Sequence, residues 1–488
     1  MTPGTRLAAA SLAATWAIAA CSTGDSPLSS VQDASIADAV SADGGADVVQ
    51  PPVGCDPAAD PKDAPKCVVS EFGVFVDATG GSDGNAGTRD APVKSITAAL
   101  TKLGGKSRVY VCEGTYAEHV KLTSGVAIYG GFACGTWSYS GTKPKVAPAD
   151  VGYALEIGDT NAEVTISDLS FVAVDAVDKS QSSVAAFVHK ASKVVFVRSA
   201  LEAGAGKEGA DGAGGATGTV TAVSSGAMNT TGNASSGTTP GLQKICTCSG
   251  GGTSTGAGGG APNGAGAPGM PNLGGGAGGA GGVSCNPNGA GANGGDAANA
   301  TDATSIAALG VLGADGWTPK SGEAGANGVP GQGGGGGGGR DASSAGGGGA
   351  CGGCGGTGGK GGGGGGGSIA LLALDSPVTL QTTTLTSKAG GLGGAGAGGG
   401  AGAGGGTGGP PNGGSNGCGA GDGGKGGGGG AGGGGTGGVS VGVLYKGTKP
   451  TLDGTPVTTG ALGTKGMGGK PGINDGIDGQ KADVLAAP

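Results

Sequence analysis

The chain has 488 residues, of which 126 are glycine and 24 proline, and only 3% are aromatic. That passes the ~25–30% glycine and proline content at which a non-periodic chain turns low-complexity, so no ordinary core fills the whole length. A net charge of −8, with no Lys/Arg-rich run, excludes the basic footprint that nucleic-acid binding needs.

The first element is a targeting segment, residues 1–20. It has one basic residue, Arg6, and an apolar run from Leu7 to Ala20 that is too short for a membrane span. It ends in Ile18-Ala19-Ala20-Cys21, which resembles a bacterial lipobox. The resemblance implies removal of 1–20 and lipidation of Cys21; the competing reading is an ordinary secretory signal cut at a small-residue site. Acyl chains on Cys21 would anchor the protein to a membrane. Ser22 stands where some bacteria use Asp to retain lipoproteins at the inner membrane, so the outer membrane is expected, surface-exposed or periplasm-facing. Residues 21–67 read as a flexible acidic tether, rich in Ala, Ser, Pro and Asp and without an aromatic residue. A flexible segment of that length spans roughly 35–40 Å. Ten cysteines follow Cys21, an even number that reads as disulfides in an exported chain. Cys351-x-x-Cys354 and Cys246-x-Cys248 are poor zinc patterns, because the second spacing is wrong and no histidine lies near.

Residues 68–203 hold most of the Val, Ile, Phe and Tyr. A short strand in "GVFVDATGGSDGNAGTRDAP" leads into a helix, where Ile96, Ala99, Leu100 and Leu103 share one face before Gly104 and Gly105. Three short apolar runs follow, at Val109–Cys112, His119–Leu122 and Val126–Tyr129, with glycine in each break. Short strands at this spacing suggest an all-β stack or solenoid. Strand, "GSDGNAGT", "SITAAL" helix, "VYVCEGTY" and "AIYGGF" together resemble the N-terminal end of a right-handed parallel β-helix of the pectate-lyase-like superfamily. The nearest likeness is to an uncharacterised branch found in bacterial surface lipoproteins. The resemblance implies an N-terminal capping α-helix and coils of three strands. Cys112 and Cys134 would then lie on adjacent rungs, close enough for a disulfide. Cys55 and Cys67 would close a local loop at the tether's end.

Farther on, "SVAAFVHKASKVVFVRSALEAGAG" from Ser183, "SIALLALDSPVTLQTTTLTSKAGG" from Ser368 and "SVGVLYKGTKPTLDGTPVTTGALG" from Ser440 align as one repeat. Single rungs bury an apolar face only when stacked. Ile369 is therefore expected beside Val184, with Val441 next. Residues 304–317, "TSIAALGVLGADGW", read as a degenerate further rung. Glycine-rich insertions would leave and re-enter at one corner: 204–367 before the coil 368–389, and 390–438 before the last coil and tail, 439–488. Loop closure costs only ~0.6 kcal/mol per doubling of length. The tracts themselves have two readings: flexible loops clipped by Cys246, Cys248, Cys285, Cys351, Cys354 and Cys418, or a bundle of polyproline-II-like glycine helices.

No catalytic constellation emerges. Polysaccharide lyases and hydrolases need carboxylates on adjacent rungs, with a Lys or Arg base in lyases. The candidates are Asp159, Asp168, Asp175 and Asp178 with Lys190, Lys193 and Arg198, but their spacing fixes no shared face, and Asp159 and Asp168 read as turn residues. Asp77, Asp83 and Asn85 are weak calcium candidates and read more readily as turn formers. No GK[ST] ends a glycine tract, so a phosphate loop is excluded, and no cofactor is expected. The functional expectation is a structural or adhesive surface lipoprotein, binding cell-envelope polysaccharide or a surface protein. The alternative is a polysaccharide-active enzyme.

Overall fold

The structure is a computed structural model that describes residues 52–411 and 416–488. Residues 1–20, Cys21 and the first part of the expected tether lie outside the described residues. Residues 52–67, also assigned by composition to the tether, lie against the core. Cys55 is bonded to Cys67, and the Tyr110 hydroxyl donates to the Cys67 carbonyl.

Strand β1 (Gly73–Val76) precedes helix α1 (Ile96–Thr101). Ser95 caps α1 by accepting from the Ala98 N–H, and the Glu118 carboxylate accepts from Ile96 and Thr97 N–H. Ile96 and Ala99 are buried, and the helix packs on the first strands. The chain then turns through short strands: β2 (Arg108–Cys112), β3 (Thr115–Tyr116) and β4 (Val120–Leu122); β5 (Ala127–Phe132), β6 (Lys145–Val146) and β7 (Leu155–Gly158); β8 (Glu163–Ser167), β9 (Ser170–Val172) and β10 (Ser183–His189). The fourth turn starts with β11 (Lys193–Val197) and β12 (Ala200–Glu202). A long glycine-rich passage follows. It contains an antiparallel sheet of β13 (Val220–Val223), β14 (Lys244–Cys248) and β15 (Thr253–Gly256), and a hairpin of β16 (Gly310–Gly313) and β17 (Gly316–Pro319). The fourth turn closes with β18 (Ser368–Leu374). After it come β19 (Val378–Gln381), β20 (Thr384–Thr386) and β21 (Ser440–Lys446), then β22 (Thr451–Asp453), β23 (Val457–Thr458) and β24 (Lys481–Ala486).

Three parallel sheets result, ordered β1-β2-β5-β8-β11-β19-β22, β3-β6-β9-β12-β20-β23 and β4-β7-β10-β18-β21-β24. Each turn gives one strand to each sheet, an all-β arrangement compatible with a β-helix solenoid. Val184 pairs with Ile369, and Ile369 with Val441, the order expected from the repeat. Both long glycine-rich passages leave after a strand of the second sheet and return into the third. Buried serines stitch that corner. Ser368 Oγ donates to the Gly204 carbonyl and accepts from the Lys388 N–H, and Ser440 Oγ donates to the Lys388 carbonyl.

Inward side chains from all three sheets form one core, with Val109, Ile128, Ile166, Phe196 and Leu380 on the first sheet. At β18 the third sheet is covered on both faces, which is why "SIALLAL" runs apolar without alternation. Its outer face carries Val184, Phe187, Ile369, Leu372 and Leu444, packed against Leu312 and Trp317 of the β16–β17 hairpin. Residues 304–317 are therefore not a rung. Ala314 and Asp315 make the tight turn, Gly316 enters β17 at φ +98° opposite Gly313, and β16 pairs antiparallel with β17. Two other corners turn on single left-handed residues: Asp159, Lys190 and Asp375 between the third and first sheets, Asp168, Arg198 and Thr382 between the first and second.

Among the described residues the glycine tracts are hydrogen-bonded to one another at intervals of three. Gly353, Gly356, Gly359 and Gly362 donate to the carbonyls of Gly424, Gly427, Gly430 and Gly433. The same tract accepts from Gly322, Gly325, Gly328 and Gly331 on one neighbour, and from Gly391, Gly394, Ala397 and Gly400 on another. A three-residue step is the period of polyproline II, so each tract presents a different face to each neighbour. Of the two readings of these tracts, the bonded bundle is the one observed. Glycine serves close approach here. A Cβ on Gly362 would sit 2.0 Å from the Gly394 oxygen, and one on Gly356 2.1 Å from the Gly400 oxygen. Along one edge Asn293, Asp296, Asn299 and Asp302 accept, through side-chain oxygens, from the N–H groups of Asp422, Lys425, Gly428 and Ala431. Side chains there take the place of a missing neighbouring tract.

Candidate functional site

The cysteines fix the frame around any site. Cys112 is bonded to Cys134 across adjacent turns, with Cα atoms 5.1 Å apart. Cys351 and Cys354 are bonded to Cys246 and Cys248, and Cys285 to Cys418. A double clasp thus joins β14 to the central glycine tract. The sulfurs of Cys112 and Cys134 lie near the Asp77 carboxylate, but they are bonded to each other and are not thiolates. Among the described residues no other group of three His, Cys, Asp or Glu comes within ligand distance.

The three calcium candidates do separate work. Asp77 accepts from Thr79 and Gly80 N–H, Asp83 from the Lys94 and Ser95 N–H groups and the Ser95 hydroxyl, while Asn85 donates to the Pro92 carbonyl. Among the catalytic candidates, only Asp168 and Arg198 converge tightly. Arg198 Nη2 lies 2.6 Å from Asp168 and 2.6 Å from Asp60, and the Tyr139 hydroxyl donates to Asp168. Burial alone would lower the Arg198 pKa; the two carboxylates outweigh it and push the pKa above its ordinary value. A guanidinium so held cannot act as a neutral base. Lys193 pairs with Glu163 at 2.9 Å, Asp175 with Lys388 at 3.0 Å, and Lys190 lies 4.0 Å from Asp159. Asp178 stays in the connector before β10, its N–H donating to Gln181.

Both histidines lie at the third sheet, His189 within β10 and His119 immediately before β4. His189 ends β10 and meets Glu156 of β7 at 3.3 Å; Glu156 also meets Lys121 of β4 at 2.7 Å. Burial would raise the Glu156 pKa, but Lys121 and His189 hold it below its ordinary value. His119 sits between the Tyr153 carbonyl and Asp150.

Beside this ladder lies a cleft of about 520 Å³, the kind of concavity in which small ligands bind. Three segments build it: the approach to β7, the approach to β10, and β17 with the residues after it. Tyr153 rests on Phe187 with ring centroids 5.1 Å apart, and its hydroxyl donates to the Asp315 carbonyl. Burial first, then Glu156 and Asp315, pushes the Tyr153 phenol up to about 12, so it stays neutral. Trp317 forms the opposite wall. Its indole Nε1 is buried and has no hydrogen-bond partner among the described residues. Sequence reasoning missed this cleft, because Tyr153 and Trp317 meet only through the stacking of distant segments. The Asp315-Gly316 turn signal was the one local pointer to the hairpin.

A protein family of unknown function (DUF1565), associated with parallel β-helix-like proteins, matches residues 79–200. No curated protein and no solved structure matches the chain.

Proposed function

We propose that this chain is a lipid-anchored surface protein with a structural or adhesive role, directed at cell-envelope polysaccharide or a neighbouring surface protein. In this reading, lipid on Cys21 holds it at the bacterial outer membrane, and the stretch after Cys21 serves as the tether. The fold is a right-handed parallel β-helix of the pectate-lyase-like superfamily, capped by α1, with the glycine bundle inserted at one corner. The strong right-handed preference of parallel crossovers supports the handedness, and the packing of α1 on the first strands supports the cap.

The observation that carries the role is the bonding of the glycine tracts at every third residue. At ~3.1 Å per residue, the run from 347 to 367 makes a shaft roughly 60 Å long. A loose linker would not fix its neighbours in register; a bonded shaft holds loops at a set distance from the sheets. The enzyme reading has less support, because Arg198 is locked between Asp60 and Asp168.

The test is expression in a bacterium that matures lipoproteins. An alkyne-tagged fatty acid should label the wild-type chain and not Cys21→Ser, and antibody applied to intact cells should reach the bundle. Unlabelled, released protein that generates new sugar ends from envelope polysaccharide would overturn the proposal in favour of the enzyme.

A further inference from the structure

We propose that the cleft between Tyr153 and Trp317 is a binding site for an uncharged oligosaccharide. The inference rests on the adhesive reading above and gives it a place and a ligand class.

The argument starts from what lines the cleft. Two aromatic side chains line it, Tyr153 and Trp317; the polar side chains are Ser180, Gln181, Ser182, Thr318 and Ser321. Among the described residues no charged side chain lines it. A pyranose offers a C–H-rich face that packs on aromatic rings and a rim of hydroxyls that donate and accept hydrogen bonds. Aromatic walls with a few polar groups suit that chemistry. A uronate or phosphorylated glycan would bring anions that nothing here neutralises, to a chain already at −8.

The polar groups have capacity left for a ligand. Gln181 Oε1 accepts from the Val177 and Asp178 N–H groups, so its position is fixed while its amide hydrogens have no partner among the described residues. Ser321 Oγ accepts from the Gly364 N–H and keeps its own hydrogen to donate. Thr318 is exposed on β17. The walls are also held in place: Tyr153 is backed by Phe187 and pinned to Asp315, the residue at the tip of the hairpin that carries Trp317. One hydrogen bond therefore ties the two walls together, and a preformed site loses little freedom on binding.

The test uses the full chain with disulfides intact. Cellotetraose and the tetramer of N-acetylglucosamine serve as neutral probes and tetragalacturonate as the acidic one, each titrated by calorimetry and by tryptophan fluorescence. At least one neutral tetramer should bind with a change in emission. Gln181→Glu, which keeps the Oε1 acceptor but replaces the amide donors by a negative charge, should weaken that binding at least tenfold, as should Trp317→Phe. Tetragalacturonate should bind at least tenfold more weakly than the neutral probe. Three results would overturn the proposal: no binding of either neutral tetramer, binding unchanged in both variants, or preference for the uronate. If the intact protein still adheres to envelope polysaccharide while the cleft fails these tests, the adhesive reading stands and the cleft assignment falls. If adhesion is absent as well, both fall.

Discussion

Replacing Gly356 by alanine asks whether the glycine bundle is packed as described. An added Cβ would lie 2.1 Å from the Gly400 oxygen and 2.5 Å from its carbonyl carbon, both backbone atoms that cannot rotate away. Relief requires the two tracts to separate. That strains the bonds that join them, from the Gly400 N–H to the Thr357 carbonyl and from the Ala403 N–H to the Cys354 carbonyl. Overpacking costs about 1–3 kcal/mol and each lost bond about 0.5–1.5 kcal/mol, so a loss of ~2–6 kcal/mol is expected. Gly398→Ala is the internal control. It lies in a tract of the same bundle, meets nothing within 4 Å and is not in the left-handed region. By restricting the unfolded chain it should stabilise by about 0.4–1 kcal/mol. Both substitutions restrict the unfolded chain alike, so the gap between them isolates packing. Urea unfolding of the oxidised protein, with hydrogen exchange across residues 204–438 as the local readout, measures it. Equal stabilities for the two variants would refute the packed bundle.

Thr382 is a β-branched residue at φ +50°, so Thr382→Gly should raise stability by ~1 kcal/mol in thermal melts; no gain would mean that the corner is not strained. Arg198→Met leaves Asp168 buried without its partner and should cost ~3–5 kcal/mol, with faster exchange in residues 52–67 that Asp60 no longer secures. The double variant Arg198→Met, Asp168→Asn should recover part of that loss. Burial would lower the His119 pKa, but the bonds to the Tyr153 carbonyl and Asp150 raise it above its ordinary ~6.5. A raised folded pKa places that stabilisation fully below the unfolded value and removes it as pH rises through the folded one. Asp150, held below its ordinary value by His119, loses its share as pH falls through its own folded pKa. Exchange protection of residues 150–153 should therefore peak between ~pH 4 and 6.5 and flatten in His119→Asn; an unchanged profile in the variant would refute the link. Reducing Cys246–Cys351 and Cys248–Cys354, which close segments of 105 and 106 residues, should speed exchange around β14 before it reaches β10 or β18.

The stacked turns were legible because each carries its own apolar strands at constant spacing, so Val184, Ile369 and Val441 could be aligned without a structure. The bundle was harder. Its contacts join segments far apart in sequence, and any residue whose side chain points away from the neighbours is tolerated, which blurs the period with Thr357 and Lys360. The readable trace was Asn293, Asp296, Asn299 and Asp302, spaced by three, a pattern with no meaning until the edge it completes is seen. Residues 304–317 were misread because a hairpin and a rung share apolar content; only Asp315-Gly316 separates them. The Arg198 cluster was half legible. Asp168 and Arg198 stood out as candidates, whereas Asp60 sat in a stretch whose composition gave no reason to expect a partner in the core.

Bonding at every third residue also limits how such a protein can change size. Ordinary surface loops accept insertions of any length. Here one added residue would turn every later donor in its tract by a third of a turn and point it at the wrong neighbour. Only whole triplets preserve the pairing, and only if the adjoining tracts gain them at the matching place. The shaft's reach is therefore quantised in steps of about 9 Å, and related chains should differ in it by concerted multiples of three residues.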